Sequence, residues 1–163
     1  MKRNWMWLMF VAAAAFAQNW QVGAAGGVSA VGASDLPATA SASAGVQVCG
    51  LCSGRFAVFA EYSHMETSGG PTWGIKRYDI AAGGLRIQGR GRVRPFFDIG
   101  FAFGTDQYGS KGQYRHGTPG MVLAGGVTFP LKNSWYIRPQ YRMYGFTYYH
   151  AVAGVNLEVG VRF

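Results

Sequence analysis

The end of the chain constrains its fold more than any other stretch. Ala153, Val155, Leu157, Val159, Val161 and Phe163 fall on one side of an extended chain, and Gly154, Asn156, Glu158, Gly160 and Arg162 fall on the other. Period two, apolar against polar, marks a strand whose faces meet different surroundings. The pattern recurs upstream. Trp135, Ile137, Pro139, Tyr141 and Met143 alternate with Tyr136, Arg138, Gln140, Arg142 and Tyr144. Val93, Pro95, Phe97, Ile99, Phe101 and Phe103 alternate with Arg94, Phe96, Asp98, Gly100, Ala102 and Gly104. A soluble sandwich would turn the apolar face inward. Here that face carries large aromatics, which suits lipid, while the polar face is crowded with small residues, which suits a narrow lumen.

Composition agrees with an inverted molecule. Only 13% of residues are charged, against about 25% in a typical soluble domain. No run of about 20 apolar residues is available to cross a bilayer as a helix. The 163 residues suit one folded domain. The first seventeen form a targeting segment: Lys2 and Arg3, an apolar run from Trp5 to Ala15, and a small-x-small cleavage site at Ala15-Phe16-Ala17. Residues 1–17 are therefore read as a signal peptide and 18–163 as the barrel domain. The formal charge of +8 includes Lys2 and Arg3, so the mature chain is nearer +6. Export argues against nucleic acid as the partner of that charge and favours anionic lipid headgroups.

Eight strands are expected, near 19–31, 43–49, 55–66, 77–88, 93–105, 120–131, 134–146 and 149–163. All but the second reach the about 9–11 residues a tilted membrane strand needs. The start of the second is obscured by the small residues from Ala40 to Ala44. In the fourth, Tyr78, Ile80 and Ala82 share one parity and Leu85 and Ile87 the other, so Gly83-Gly84 is read as a bulge that resets the face. Connections alternate between long (Gly32 to Ser41, Thr67 to Lys76, Asp106 to Pro119) and short (Gly50 to Gly54, Gly89 to Arg92, Lys132-Asn133). Bacterial barrels have short periplasmic turns and longer outer loops. The expected fold is therefore all-β: an eight-stranded antiparallel up-and-down transmembrane β-barrel with both mature termini periplasmic. The last two strands should pair at residue numbers summing to about 296, which sets Arg138 opposite Glu158 and Gln140 opposite Asn156.

The terminal segment Val159-Gly160-Val161-Arg162-Phe163 resembles the signal that barrel-assembly machinery recognises in outer-membrane proteins. Arg92-Val93-Arg94-Pro95-Phe96-Phe97-Asp98-Ile99-Gly100 is similar to the fifth strand of the eight-stranded outer-membrane β-barrel domain family, which includes OmpA-type transmembrane domains and opacity-like proteins. The resemblance covers the whole mature chain. It implies an outer-membrane location in a Gram-negative-type bacterium, an assembly role for Phe163, and a range of activities from anchor to adhesin. With the chain ending at Phe163, no wall-binding domain is expected.

Several constellations could carry function. Glu61, Asp79, Arg94, Asp98, Arg138, Arg142 and Glu158 take the inferred lumen face. Charges at membrane depth must pair or reach water, so these residues form either an ion-pair network or an ion path. Trp20, Trp135 and Phe163 at one end, and Tyr78, Tyr148 and Tyr149 at the other, suit interfacial girdles; Trp73 with the tyrosines could form a sugar platform. Lys76, Arg77, Lys111 and Arg115 near the outer loops could contact lipopolysaccharide phosphates. Arg90-Gly91-Arg92-Val93-Arg94 reads as a solvated turn. Cys49 and Cys52 can close a local disulfide in an oxidising compartment. Ser53 stands where haem attachment needs histidine, and two thiols are half a zinc site. No cofactor or metal is expected. Ser63 and His64 are adjacent on a strand and face apart; Ser29 and His150 form the better nucleophile–base couple, with no carboxylate to orient the histidine. The leading expectation is a non-enzymatic barrel, structural or interacting through its outer loops with a ligand not identified by the sequence. The alternatives are a small conducting pore and a lipid-acting enzyme.

Overall fold

The computed structural model describes residues 20–33, 36–67, 75–108, 114–147 and 150–163. Residues 1–19, which include the expected signal peptide, and residues 34–35, 68–74, 109–113 and 148–149 lie outside the described residues. Eight strands run β1 Gln21–Ala33, β2 Leu36–Gly50, β3 Phe56–Thr67, β4 Ile75–Gln88, β5 Arg94–Tyr108, β6 Tyr114–Pro130, β7 Trp135–Phe146 and β8 His150–Arg162. Each pairs antiparallel with its sequence neighbour, and β1 pairs with β8, so the sheet closes into a barrel. Closure leaves no free edge, the condition for a sheet to sit in lipid.

The last hairpin runs in the expected register, with Arg138 opposite Glu158 and Gln140 opposite Asn156. Other expectations are overturned. The long connection at Gly32 to Ser41 is not there: β2 begins at Leu36, and Ala33 already pairs with Leu36. Its run of small residues is strand, because neighbours on both sides supply the ladder that local side chains do not signal. Gly83-Gly84 is not a bulge. Register between β4 and β5 is continuous there, Gly83 opposite Phe101 and Gly84 opposite Gly100. The apolar residues change parity while the faces do not. Tyr78 and Ile80 are buried inside, and Leu85 and Ile87 lie on the outer surface.

The sixth strand starts at Tyr114, before the expected Gly120. From Tyr114 to Pro119 it pairs with β5, and its pairing with β7 begins only at Gly120 opposite Phe146. Proline has no N–H for a second ladder, and Pro119 stands where β6 outruns β7. The β6–β7 ladder also skips the positions around Pro139, which cannot donate. At the opposite end the turns are tight. Asn133 and Ser134 adopt left-handed φ values of 57° and 65°, a region asparagine visits more readily than most residues.

The outer wall is apolar. Phe97, Ile99, Phe101, Phe103, Tyr141, Val155, Leu157 and Val159 are all exposed, Phe101 by 79%. In water such a surface would aggregate; around a closed strand wall it is a lipid-facing band. Trp20, Phe56, Trp135 and Phe163 are exposed at the end carrying the short turns, where an interfacial girdle belongs. Tyr78, expected in the opposite girdle, is instead buried in the lumen. No helix among the described residues is long and apolar enough to cross a membrane.

Candidate functional site

The lumen is built from inward residues of all eight strands and is divided by height. Nearer the short turns it is ionic. Arg86 of β4 donates through Nε to Asp98 Oδ1 and through Nη2 to Asp98 Oδ2, each at 2.7 Å. This paired fork suits a planar guanidinium. Arg142 Nη2 donates to the same Asp98 oxygen at 3.1 Å and its Nη1 pairs with Glu61. Arg138 Nη1 donates to both Glu158 oxygens at 3.1 Å. Three guanidiniums therefore meet three carboxylates, and all six side chains are buried.

Neutral side chains complete the network. Gln47 Oε1 accepts from Arg86 at 2.9 Å and from Arg138 at 2.8 Å, while its Nε2 donates to Glu61 at 3.0 Å. Arg138 donates also to Gln21 Oε1 at 2.6 Å and Thr128 Oγ1 at 2.9 Å. Tyr136 donates to Glu158 at 2.5 Å and Tyr144 to Glu61 at 2.8 Å. The guanidiniums stack between rings: Arg86 lies 4.4 Å from the Phe96 centroid, and Arg138 5.1 Å from Phe96 and 4.7 Å from Tyr136. Arg142 lies 5.8 Å from the Phe59 centroid. Ring faces attract cations, so these contacts support the N–H groups that lack an acceptor, Arg86 Nη1 and Arg142 Nε. Space for this layer comes from glycine. A Cβ at Gly23 would lie 2.6 Å from the Tyr136 hydroxyl, and one at Gly160 2.5 Å from the Tyr136 ring.

Toward the opposite mouth the lumen becomes mainly apolar, apart from buried Thr118 and a polar strip on the β1–β2–β8 side, where Ser29 donates to Ser43 at 3.4 Å and Ser43 to Asn156 Oδ1 at 2.8 Å. Val31, Met65, Tyr78, Ile80, Ala102, Val122, Phe146 and Val152 pack into one buried cluster with Phe59 and Tyr144. Tyr78 and Phe146 rings sit 5.2 Å apart. An ion entering this plug would shed its water without a compensating partner.

The structure thus brings Glu61, Asp98, Arg138, Arg142 and Glu158 together and adds Arg86, which sequence reasoning missed. Two expected members lie elsewhere. Arg94 is half-buried at the mouth and donates to the Gly91 carbonyl at 3.1 Å. Asp79 is on the outer wall, not in the lumen. It accepts from Tyr62 at 2.7 Å and meets His64 Nδ1 at 2.7 Å; nearby, Glu66 pairs with Arg77 at 3.1 Å. Tyr78 and Ile80 take the inward positions of β4 because the lumen at that height is apolar, which turns Asp79 outward.

Cys49 and Cys52 are joined by a disulfide and are buried with Ala57 under the ionic end. Gln88 holds that turn, donating to the carbonyls of Cys52 at 2.5 Å and Gly54 at 2.7 Å. Ser29 and His150 are not brought together as a nucleophile–base couple. Ser29 is opposite Gly154 and His150 opposite Ala33, four register steps apart, about 13 Å along a strand. Among the described residues no group of three histidine, cysteine or acidic side chains could hold a metal ion.

A closed eight-strand wall, an apolar exterior and a filled, charged interior define the class: the molecule has the fold of the small eight-stranded outer-membrane β-barrels. Solved structures agree. Neisserial surface protein A superposes with a TM-score of 0.77 at 12% identity, covering 88% of this chain and 97% of that one. The attachment invasion locus protein Ail of Yersinia pestis gives 0.66 at 14% identity, covering 90% and 99%. The N-terminal β-barrel domain of Pseudomonas aeruginosa OprF gives 0.55 at 13% identity, covering 88% and 98%. No protein-family model matches the sequence. No curated protein matches it either.

Proposed function

We propose that this protein is a non-enzymatic outer-membrane barrel that works through its surface, as a wall element or by recognition at its outer rim, and not as a conduit. The observation that carries this is the solid lumen: a neutralised ionic layer beneath an apolar plug. Eight strands leave an interior only wide enough for side chains. The mouth that carries both termini and the β2–β3, β4–β5 and β6–β7 turns is assigned to the periplasm, and the other to the exterior, on the resemblance to bacterial outer-membrane barrels. Connection length does not carry the assignment, because the β1–β2 and β7–β8 connections at the other mouth are the shortest of all. On that assignment the β5–β6 hairpin rises past the end of β7, offering backbone and side chains above the membrane. Ail has been solved with the heparin analogue sucrose octasulfate, and a polyanion at the outer rim is one ligand class for this chain, with Lys76, Lys111 and Arg115 as basic residues beside the loops.

The register of Ser29 and His150 supports a non-enzymatic reading. So does His64, the histidine paired with Asp79: its Nε2 faces Glu66 at 3.5 Å and not a hydroxyl. The proposed partners are outer-membrane lipids, lipopolysaccharide and, through Phe163, the barrel-assembly machinery. Planar-bilayer recording tests the central claim. Purified protein should insert without steady conductance steps; large stable steps would replace this reading with a pore. A lipid-hydrolysis assay with Ser29→Ala as control tests the enzymatic alternative.

A further inference from the structure

The net charge of the molecule has one address. Of the fifteen basic and seven acidic residues, Lys2 and Arg3 belong to the leader. Inside the lumen Arg86, Arg138 and Arg142 are matched by Glu61, Asp98 and Glu158. The strand ends and connections at the long-loop mouth hold four basic residues (Lys76, Arg77, Lys111, Arg115) against four acidic ones (Asp35, Glu66, Asp79, Asp106). The remaining six, Arg55, Arg90, Arg92, Arg94, Lys132 and Arg162, all lie at the short-turn mouth, where the sequence places no acidic side chain. The +6 of the mature chain is therefore concentrated there.

These cations are spread around the circumference. Arg55 is in the β2–β3 turn, Arg90 and Arg92 in the β4–β5 turn, Arg94 at the start of β5, Lys132 in the β6–β7 turn and Arg162 at the end of β8. Arg55, Arg90, Arg92 and Lys132 are exposed. None of the six forms an ion pair with a carboxylate of the described residues. Exposed apolar side chains adjoin them: Phe56 beside Arg55, Val93 beside Arg92, Leu131 beside Lys132 and Phe163 beside Arg162. The apolar neighbour belongs in hydrocarbon and the cation just beyond it, at headgroup level.

We infer that this mouth binds the headgroups of anionic phospholipids in the leaflet it faces, one or more at each hairpin, with acyl chains against the girdle and phosphates on the cations. A lipid source fits better than a soluble polyanion because four of the cations, Arg55, Arg92, Lys132 and Arg162, sit next to an exposed apolar side chain, and the turns distribute the charge around the mouth. The inference rests on the membrane-barrel reading but not on which mouth faces the periplasm. Failure to insert into any bilayer would sink that reading, whereas insertion without lipid selection would sink only this one.

The test uses nanodiscs of phosphatidylethanolamine mixed with phosphatidylglycerol, from which the released protein is weighed with its retained lipids by native mass spectrometry. The wild type should retain phosphatidylglycerol at about threefold or more over its bulk proportion, and this should decline as salt rises. The combined variant Arg55→Gln, Arg90→Gln, Arg92→Gln, Lys132→Gln should return to the bulk proportion, while Lys111→Gln with Arg115→Gln at the other mouth should keep the enrichment. The salt series on the wild type stands if the combined variant does not fold. Retention at the bulk proportion in the wild type, enrichment indifferent to salt or to the four substitutions, or loss with the opposite-mouth pair each overturns the inference. So does a wild type that ignores phosphatidylglycerol yet binds soluble polyglutamate through the same cations.

Discussion

Replacing Arg138 by methionine removes five donated hydrogen bonds at once: to Thr128, Gln47, Gln21 and both oxygens of Glu158. Glu158 keeps only the Tyr136 hydroxyl among its recorded donors, and its charge stays buried. An orphaned buried charge costs about 3–5 kcal/mol, so Arg138→Met should fall in that range. Glu158→Gln is milder. The amide still accepts from Tyr136 and Arg138, and Arg138 keeps Gln47, Gln21 and Thr128 as acceptors, so about 1.5–3 kcal/mol is expected. The double variant should recover part of the loss, because intact Arg138 and Glu158 both give up water to enter the lumen and their net stabilisation is small. A coupling of about 1–3 kcal/mol is expected. The assay is urea unfolding from lipid vesicles, followed by tryptophan fluorescence, for the wild type, both singles and the double. Additivity within about 0.5 kcal/mol would refute the claim that the two side chains act as one unit.

Gly23→Ala should cost about 1–3 kcal/mol by pushing into Tyr136 and Glu158, whereas Gly145→Ala, whose Cβ meets nothing within 4 Å, should leave the urea midpoint within error. Deleting Phe163 should impair delivery more than stability; normal outer-membrane levels of the truncated protein after fractionation would contradict an assembly role. Protein from outer membranes should begin at Gln18 on N-terminal sequencing, and a retained Met1 would contradict cleavage after Ala17.

The barrel was legible because its final strands keep one polarity per face over their whole length, as Val155 to Phe163 against Asn156 to Arg162 demonstrates. Asp79 is assigned to the wrong face, and Arg86 is left out of the lumen set, for the opposite reason. In β4 the inward face is apolar at Tyr78 and Ile80 and charged at Arg86, so a period-two reading sees a slip where the strand has none. The polarity of the lumen varies with height, and alternation along one strand does not encode height. Arg86 lies opposite Asp98, but strands joined by the Gly89 to Arg92 turn would set it opposite Pro95, so the pairing that finds Arg138 opposite Glu158 does not find Arg86: the real connection runs on to Val93 and shifts the register. Gln47 was missed because a neutral amide gives no charge signal and its strand is written in small residues.

The ionic layer draws a member from every strand: Gln21, Gln47, Glu61, Arg86, Asp98, Thr128, Arg138 and Glu158 in turn from β1 to β8. A sheet that has zipped part-way therefore holds charges whose partners are still on unzipped strands, and it gains their compensation only when the β1–β8 seam shuts. The contact of Arg138 on β7 with Gln21 on β1 forms at that last step. Opening the seam strands the same charges in reverse. The lumen chemistry thus penalises partly closed species and makes the transition between open sheet and sealed cylinder cooperative.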